Sequence, residues 1–215
     1  MSAAGDDERN AMFTALEGQE WMMIDWWNAD EAGKPRVLLI GDSITNGYGA
    51  RVKDLLLGTC FTGRLATSKC VGSAGLVKEI DYALSQFEYA AIHFNNGLHG
   101  WDCPEKQFAK EYAKVVAHIQ KKAPEAQLLL AASTSMRNPA DLAQVHAVQD
   151  RRVVERNASM RACAEEKGLP FNDLYTLSVS HGEWYSTDAV HFNAEGYQAL
   201  AGQVARMVGA TLSRQ

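Results

Sequence analysis

Long apolar runs are missing from this chain, and so is any excess of basic charge. No stretch reaches the roughly 20 consecutive apolar residues that a membrane-spanning helix needs. The first ten positions are small and acidic, with neither the basic nor the apolar segment of a secretory leader. Lysine and arginine total 21 against 26 acidic residues, for a formal charge of −5. The basic residues are scattered, so neither nucleic acid nor a membrane is an expected partner. Arg151 and Arg152 form the one notable basic pair, read here as a solvated helix face. Cysteine is scarce: Cys60, Cys70, Cys103 and Cys163 stand far apart, with no Cys-x-x-Cys. That excludes a disulfide framework and a zinc knuckle, and it fits the reduced thiols of a cytoplasmic protein. Nothing asks for a metal or a cofactor. Repeats, low-complexity tracts and Pro/Gly-rich linkers are also absent, so one domain is expected.

What the chain has is enough apolar residue, 47% of 215, to bury a full core. Short apolar runs alternate with helical patterns. Residues 37–40, 60–66, 89–94, 128–132 and 171–174 read as strands. Helical spacing is expected from 48 to 57, from 76 to 87, from about 102 to 124, from about 145 to 167, and from 194 to 208. Strands alternating with helices mean a parallel sheet covered on both sides. The expected fold is a three-layer α/β/α sandwich with a flavodoxin-like, five-stranded parallel sheet. Ahead of it, Trp21, Met22, Met23, Ile24, Trp26 and Trp27 crowd seven positions. Residues 1–35 are read as an N-terminal arm or short helix packing on the domain, with an aromatic wall or subunit interface as the alternative; a homo-oligomer stays open.

The chemistry sits at two places. The buried run 37–40 ends in Gly41-Asp42-Ser43, putting a serine where open α/β sheets place their sites. Near the other end, Asp188 and His191 stand three apart before a helix. A serine hydroxyl needs a base to take its proton, and the base needs a partner to fix its tautomer. Asp188 and His191 supply both from one turn. Donors for an oxyanion are available in Gly72-Ser73-Ala74-Gly75, in Asn95-Asn96-Gly97, and in the Ser43 amide.

Taken in this order, the motifs resemble those of the SGNH, or GDSL-type, hydrolases, from Arg36 to about Val208. Gly41-Asp42-Ser43-Ile44 is similar to the family's first block, and Asp188-x-x-His191 to its last. The resemblance implies one hydrolase domain over 36–215, with Ser43 as nucleophile, Asp188 and His191 completing a triad, and no cofactor. It implies an oxyanion glycine at Gly75, or Gly72 in another alignment, and an oxyanion asparagine at Asn96 or Asn95. The third block departs from the family's Gly-x-Asn-Asp. The implied partner is a small-molecule ester, an acylated sugar among the candidates. A short-chain carboxylesterase or carbohydrate O-acetylesterase is therefore the expected function, with Trp101, Trp184 and Tyr185 as candidates to stack on a sugar.

The alternative is a non-catalytic, flavodoxin-like domain that binds a sugar or phosphate on the Gly72–Gly75 loop. Around the site, His99 and Trp101 line the mouth or pack the loop. His93 is read as a hydrogen-bonded core residue, Arg137 as a loop cover rather than a binder of an anionic or sugar group, and Asp42 as the residue holding the serine's turn. His118, His146 and His181 show no partner pattern.

Overall fold

The computed structural model describes residues 17–213, so the first 16 residues of the expected arm lie outside the described residues. Strand β2 (Arg36–Gly41) runs through the middle of the main sheet, with Val37 to Ile40 fully buried. Its side chains alternate between two cores, as a doubly covered strand requires. Val37 and Leu39 join α1 (Ser43–Leu56) and α6 (Ala194–Leu212) on one face. Leu38 and Ile40 join α2 (Ala74–Leu84) and α3 (Glu105–Lys122) on the other. The three layers follow from that alternation.

The other strands are β1 (Met22–Trp26), β3 (Phe61–Thr67), β4 (Ala91–Phe94), β5 (Gln127–Ala131) and β8 (Phe171–Asn172), in the spatial order β1-β3-β2-β4-β5-β8. A separate hairpin pairs β6 (Arg137–Asn138) with β7 (Asp141–Val145). The main sheet thus has six strands rather than the expected five. The parallel five keep the flavodoxin-like order, and the sixth is the tryptophan-rich segment. Met22 to Trp26 pair antiparallel with Thr67 to Gly63, so this stretch is an edge strand, not a helix. Its aromatics are fixed from below: Trp26 donates to the Tyr89 hydroxyl at 3.0 Å, and Arg64 lies over the Trp27 ring.

Of the boundaries that differ from the sequence reading, three have a clear local reason. Helix α1 starts at Ser43, five residues early, because Asp42 caps it by accepting from the Ile44 amide at 3.0 Å. Gly47 and Gly49 obscured its first turns in the sequence; a Cβ at Gly47 would meet the Tyr197 ring at 2.0 Å. Helix α4 (Gln149–Lys167) starts late because Val145 is paired with Arg137 in the hairpin. Leu174 opens a short helix, α5 (Leu174–Val179), rather than ending a strand, because Asp173 accepts from the Thr176 amide at 3.0 Å.

Candidate active site

Strand β2 has β3 on one side and β4 on the other. The chain reverses its winding there, and the crevice beyond such strand ends is where open sheets hold ligands. Ser43 is the first residue of α1, directly after β2. Its own amide is among the helix N-terminal N–H groups that have no intrahelical partner.

The second half of the site comes from the turn before α6. Asn193 caps that helix through the Gly196 amide at 3.0 Å, and Tyr185 and Phe192 form an isolated bridge that closes the loop. Within it Ala189 has φ +64, unusual for a residue with a Cβ, while its carbonyl accepts from the Arg137 amide at 2.8 Å. This left-handed residue folds the chain back so that Asp188 reaches His191. The Asp188 Oδ2 lies 2.7 Å from His191 Nδ1, and His191 Nε2 lies 2.7 Å from Ser43 Oγ.

Partial burial would push the Asp188 carboxyl upward. The amides of Val190 and His191, the His191 ring and the Ser186 hydroxyl outweigh it and hold the group well below the usual carboxylate range. Asp188 is therefore an anion facing Nδ1. That sets the proton on Nδ1 and leaves Nε2 to accept from the serine. The side chains of His191 and Asp188 are 40% and 51% exposed, so the constellation lies near the surface.

The oxyanion candidates separate. Asn95 gives its amide to the carbonyls of Ala132 at 2.6 Å and Ala131 at 3.3 Å, so it straps β4 to β5 and does not serve the pocket. Gly75 lies inside the first turn of α2, its amide donating to Ser73 Oγ at 3.2 Å. It is glycine because a Cβ there would press on the Lys69 stem at 2.7 Å. The Gly75 amide is thus taken up by a helix cap. Asn96 is different. It donates one amide proton to the Lys69 carbonyl at 2.8 Å and keeps the second. That bond ties it to the loop after β3, beside the end of β2.

Other sequence candidates are placed as packing. Trp184 is buried with its face covered by His181 at a centroid distance of 3.7 Å. Tyr185 is buried with its hydroxyl bonded to Ser135. Trp101 lies under Arg152 and Arg156. The stacking role expected for the first two is therefore corrected: their faces are already filled. Arg137 is buried over Tyr185 and donates to the carbonyls of Ser178 and Val179, a loop cover as expected.

His93 is wholly buried, and desolvation lowers its pKa to about 3. It accepts at Nε2 from Asn172, whose oxygen is taken by Gln203, so the proton sits on Nδ1. His118 and His181, without a partner pattern in sequence, lie 2.7 Å from Asp81 and Glu183. His146 accepts from the Gln149 amide. His99 meets Glu17 at 3.2 Å and the edge of Trp21. Of the pair read as a solvated face, Arg152 instead bonds Glu105 at 2.6 Å.

The sequence reading missed Arg156. It is fully buried in α4 and donates to four carbonyls of the loop after β4. Its signal was positional: it falls in register with Val153, Met160 and Cys163, the buried stripe of that helix.

Among the described residues no helix is long and apolar enough to cross a membrane. Comparison with known proteins bears on the family and the fold. No curated protein matches the chain in sequence. Solved structures do match in fold. The lipase/acylhydrolase of Enterococcus faecalis superposes with a TM-score of 0.65 at 16% identity, covering 82% of this chain and 96% of its own. An acetyl xylan esterase gives 0.63 at 18%, covering 80% and 99%. The catalytic domain of Streptococcus pneumoniae peptidoglycan O-acetyltransferase A gives 0.62 at 17%, covering 84% and 96%. The model of the GDSL-like lipase/acylhydrolase family matches residues 88–199, which include Asn96, Asp188 and His191 but begin after Ser43. Only the folded chain brings that serine to the matched part, and on the match, the fold and this geometry together the chain belongs to the GDSL-like lipase/acylhydrolase family.

Proposed function

We propose that this protein is a serine esterase acting on small acyl groups, with Ser43, His191 and Asp188 as its triad. The observation that carries the reading is the unbroken chain of two 2.7 Å contacts from Asp188 through His191 to Ser43. Ser43 Oγ attacks the ester carbonyl while its proton passes to His191 Nε2. Asp188 stabilises the imidazolium. The oxyanion is met by the Ser43 amide and by the spare amide proton of Asn96. His191 then gives the proton to the leaving alkoxide, and a water repeats the sequence on the acyl-enzyme to free the acid and Ser43.

The half-exposed Asp188 and His191 suit a small acyl group carried on a bulky, polar alcohol, such as an O-acetylated sugar. Relatives in fold that act as an acetyl xylan esterase and as an O-acetyltransferase support the same direction. The protein should release p-nitrophenol from p-nitrophenyl acetate faster than from the octanoate, and acetate from acetylated xylan. Ser43→Ala should abolish both and should prevent covalent labelling by a fluorophosphonate. Equal turnover by wild type and Ser43→Ala would sink the reading.

A further inference from the structure

We propose that Arg156 is a positioning residue for the reaction: it sets the loop that aims Asn96 at the oxyanion. The proposal rests on the acyl-transfer reading above. Arg156 is fully buried. Its Nη1 donates to the carbonyls of Gly97 at 2.9 Å and His99 at 2.8 Å, and its Nη2 to those of Gly100 at 2.9 Å and Cys103 at 3.3 Å. Trp101 and Phe108 lie against the guanidinium at 4.6 and 4.7 Å.

Interring a cation is expensive, and here, among the described residues, no carboxylate serves it alone. The nearest, Glu105, is 3.6 Å from Nε and is held more closely by Arg152 at 2.6 Å. The cation is spent on main-chain oxygens of a single segment without regular structure. A planar fork of five donors can fix several carbonyls at once, which an ammonium cannot.

That segment begins where Asn96 ends. Asn96 is 1% exposed, and its Oδ1 is buried without a hydrogen-bond partner among the described residues. Among the described residues its side chain is hydrogen-bonded by the Lys69 carbonyl alone, and its position otherwise follows its own backbone. Whatever fixes the backbone from Gly97 onward therefore fixes where the spare amide proton points. Arg156 does so from α4.

A displacement of about 1 Å in a transition-state donor can cost on the order of 10²-fold in rate. Full-length Arg156→Lys keeps the charge and loses the fork. Assayed on p-nitrophenyl acetate, it should lose about 10- to 100-fold in kcat with KM nearly unchanged, because Asn96 acts on the transition state alone. In an Asn96→Ala background the same substitution should cost no more than about twofold further, since the group it positions is gone. Arg156→Gln, which also loses the fork, repeats the cycle if the lysine variant does not fold.

Losses that multiply across the two sites, an undiminished kcat in Arg156→Lys, or failure of both Arg156 variants to fold would each overturn the proposal. Fluorophosphonate labelling of wild-type Ser43 separates the two levels. An inactive, unlabelled wild type sinks the esterase reading and this proposal with it. An active, labelled wild type with multiplying losses sinks only the role of Arg156.

Discussion

Asp188 grips His191 twice. Its Oδ2 faces the ring Nδ1 at 2.7 Å, while its Oδ1 accepts from the His191 backbone amide at 2.9 Å and the Val190 amide at 3.0 Å. One carboxylate thereby fixes both the loop and the imidazole.

Asp188→Asn tests this. The two backbone donors and the Ser186 hydroxyl, 2.8 Å away, demand an oxygen at the Oδ1 position. The new NH2 is then forced to face Nδ1, which places the histidine proton on Nε2, pointing at Ser43. The variant should fold normally and lose about 10³–10⁴-fold in kcat. The double variant with His191→Ala should be little slower than the slower single one. Steady-state kinetics decide it: near-full activity would mean another group orients His191.

The two adjacent asparagines should differ in their kinetics. Asn96→Ala should lower kcat by about 10²–10³-fold with little change in KM, over and above the stability lost with its bond to the Lys69 carbonyl. Asn95→Ala leaves the carbonyls of Ala131 and Ala132 without their donor and should cost about 1–3 kcal/mol of stability, read from urea unfolding. Equal kinetic losses from both would reassign the oxyanion donor.

Gly47→Ala should disturb the site from behind. Its Cβ would fall 2.0 Å from the Tyr197 ring, wedged between α1, which carries Ser43, and α6, which follows His191. Overpacking of this kind costs about 1–3 kcal/mol. The melting temperature and kcat should fall together, and Gly47→Ala combined with Tyr197→Leu should recover stability.

Acid should weaken the fold through two groups in different windows. His93 titrates near 6.5 when unfolded but at about 3 in the core, held neutral by burial. The unfolded chain binds that proton first. Stability is thus full above about pH 6.5 and falls by up to about 1.4 kcal/mol per pH unit below it. Asp188 is also depressed in the folded state, so its contribution is present above about pH 4 and fades below. Urea midpoints should decline from pH 6.5 to 4.5 in wild type and stay flatter in His93→Leu over that range. An equal slope in both would assign the acid sensitivity elsewhere.

Much of this protein was determined by local sequence. Val37 to Ile40 are apolar throughout because both faces of β2 are covered, and the period-2 split between two cores follows from strand geometry alone. Asp188 and His191 sit in one turn, so their spacing announces their contact. Ser43 is marked by the strand end before it. Tertiary structure alone decided the rest. Met22 to Trp26 became an edge strand because β3 offered a free edge, a property of the sheet and not of the segment. Asn95 and Asn96 are the same residue type one position apart. Only the carbonyls of Ala131, Ala132 and Lys69, from two other strands' ends, tell the strap from the candidate donor. Arg156 reads in sequence as one more helix charge. Its burial against four loop carbonyls exists only once α4 has packed, because hydrogen bonds formed across some 55 residues leave no local pattern.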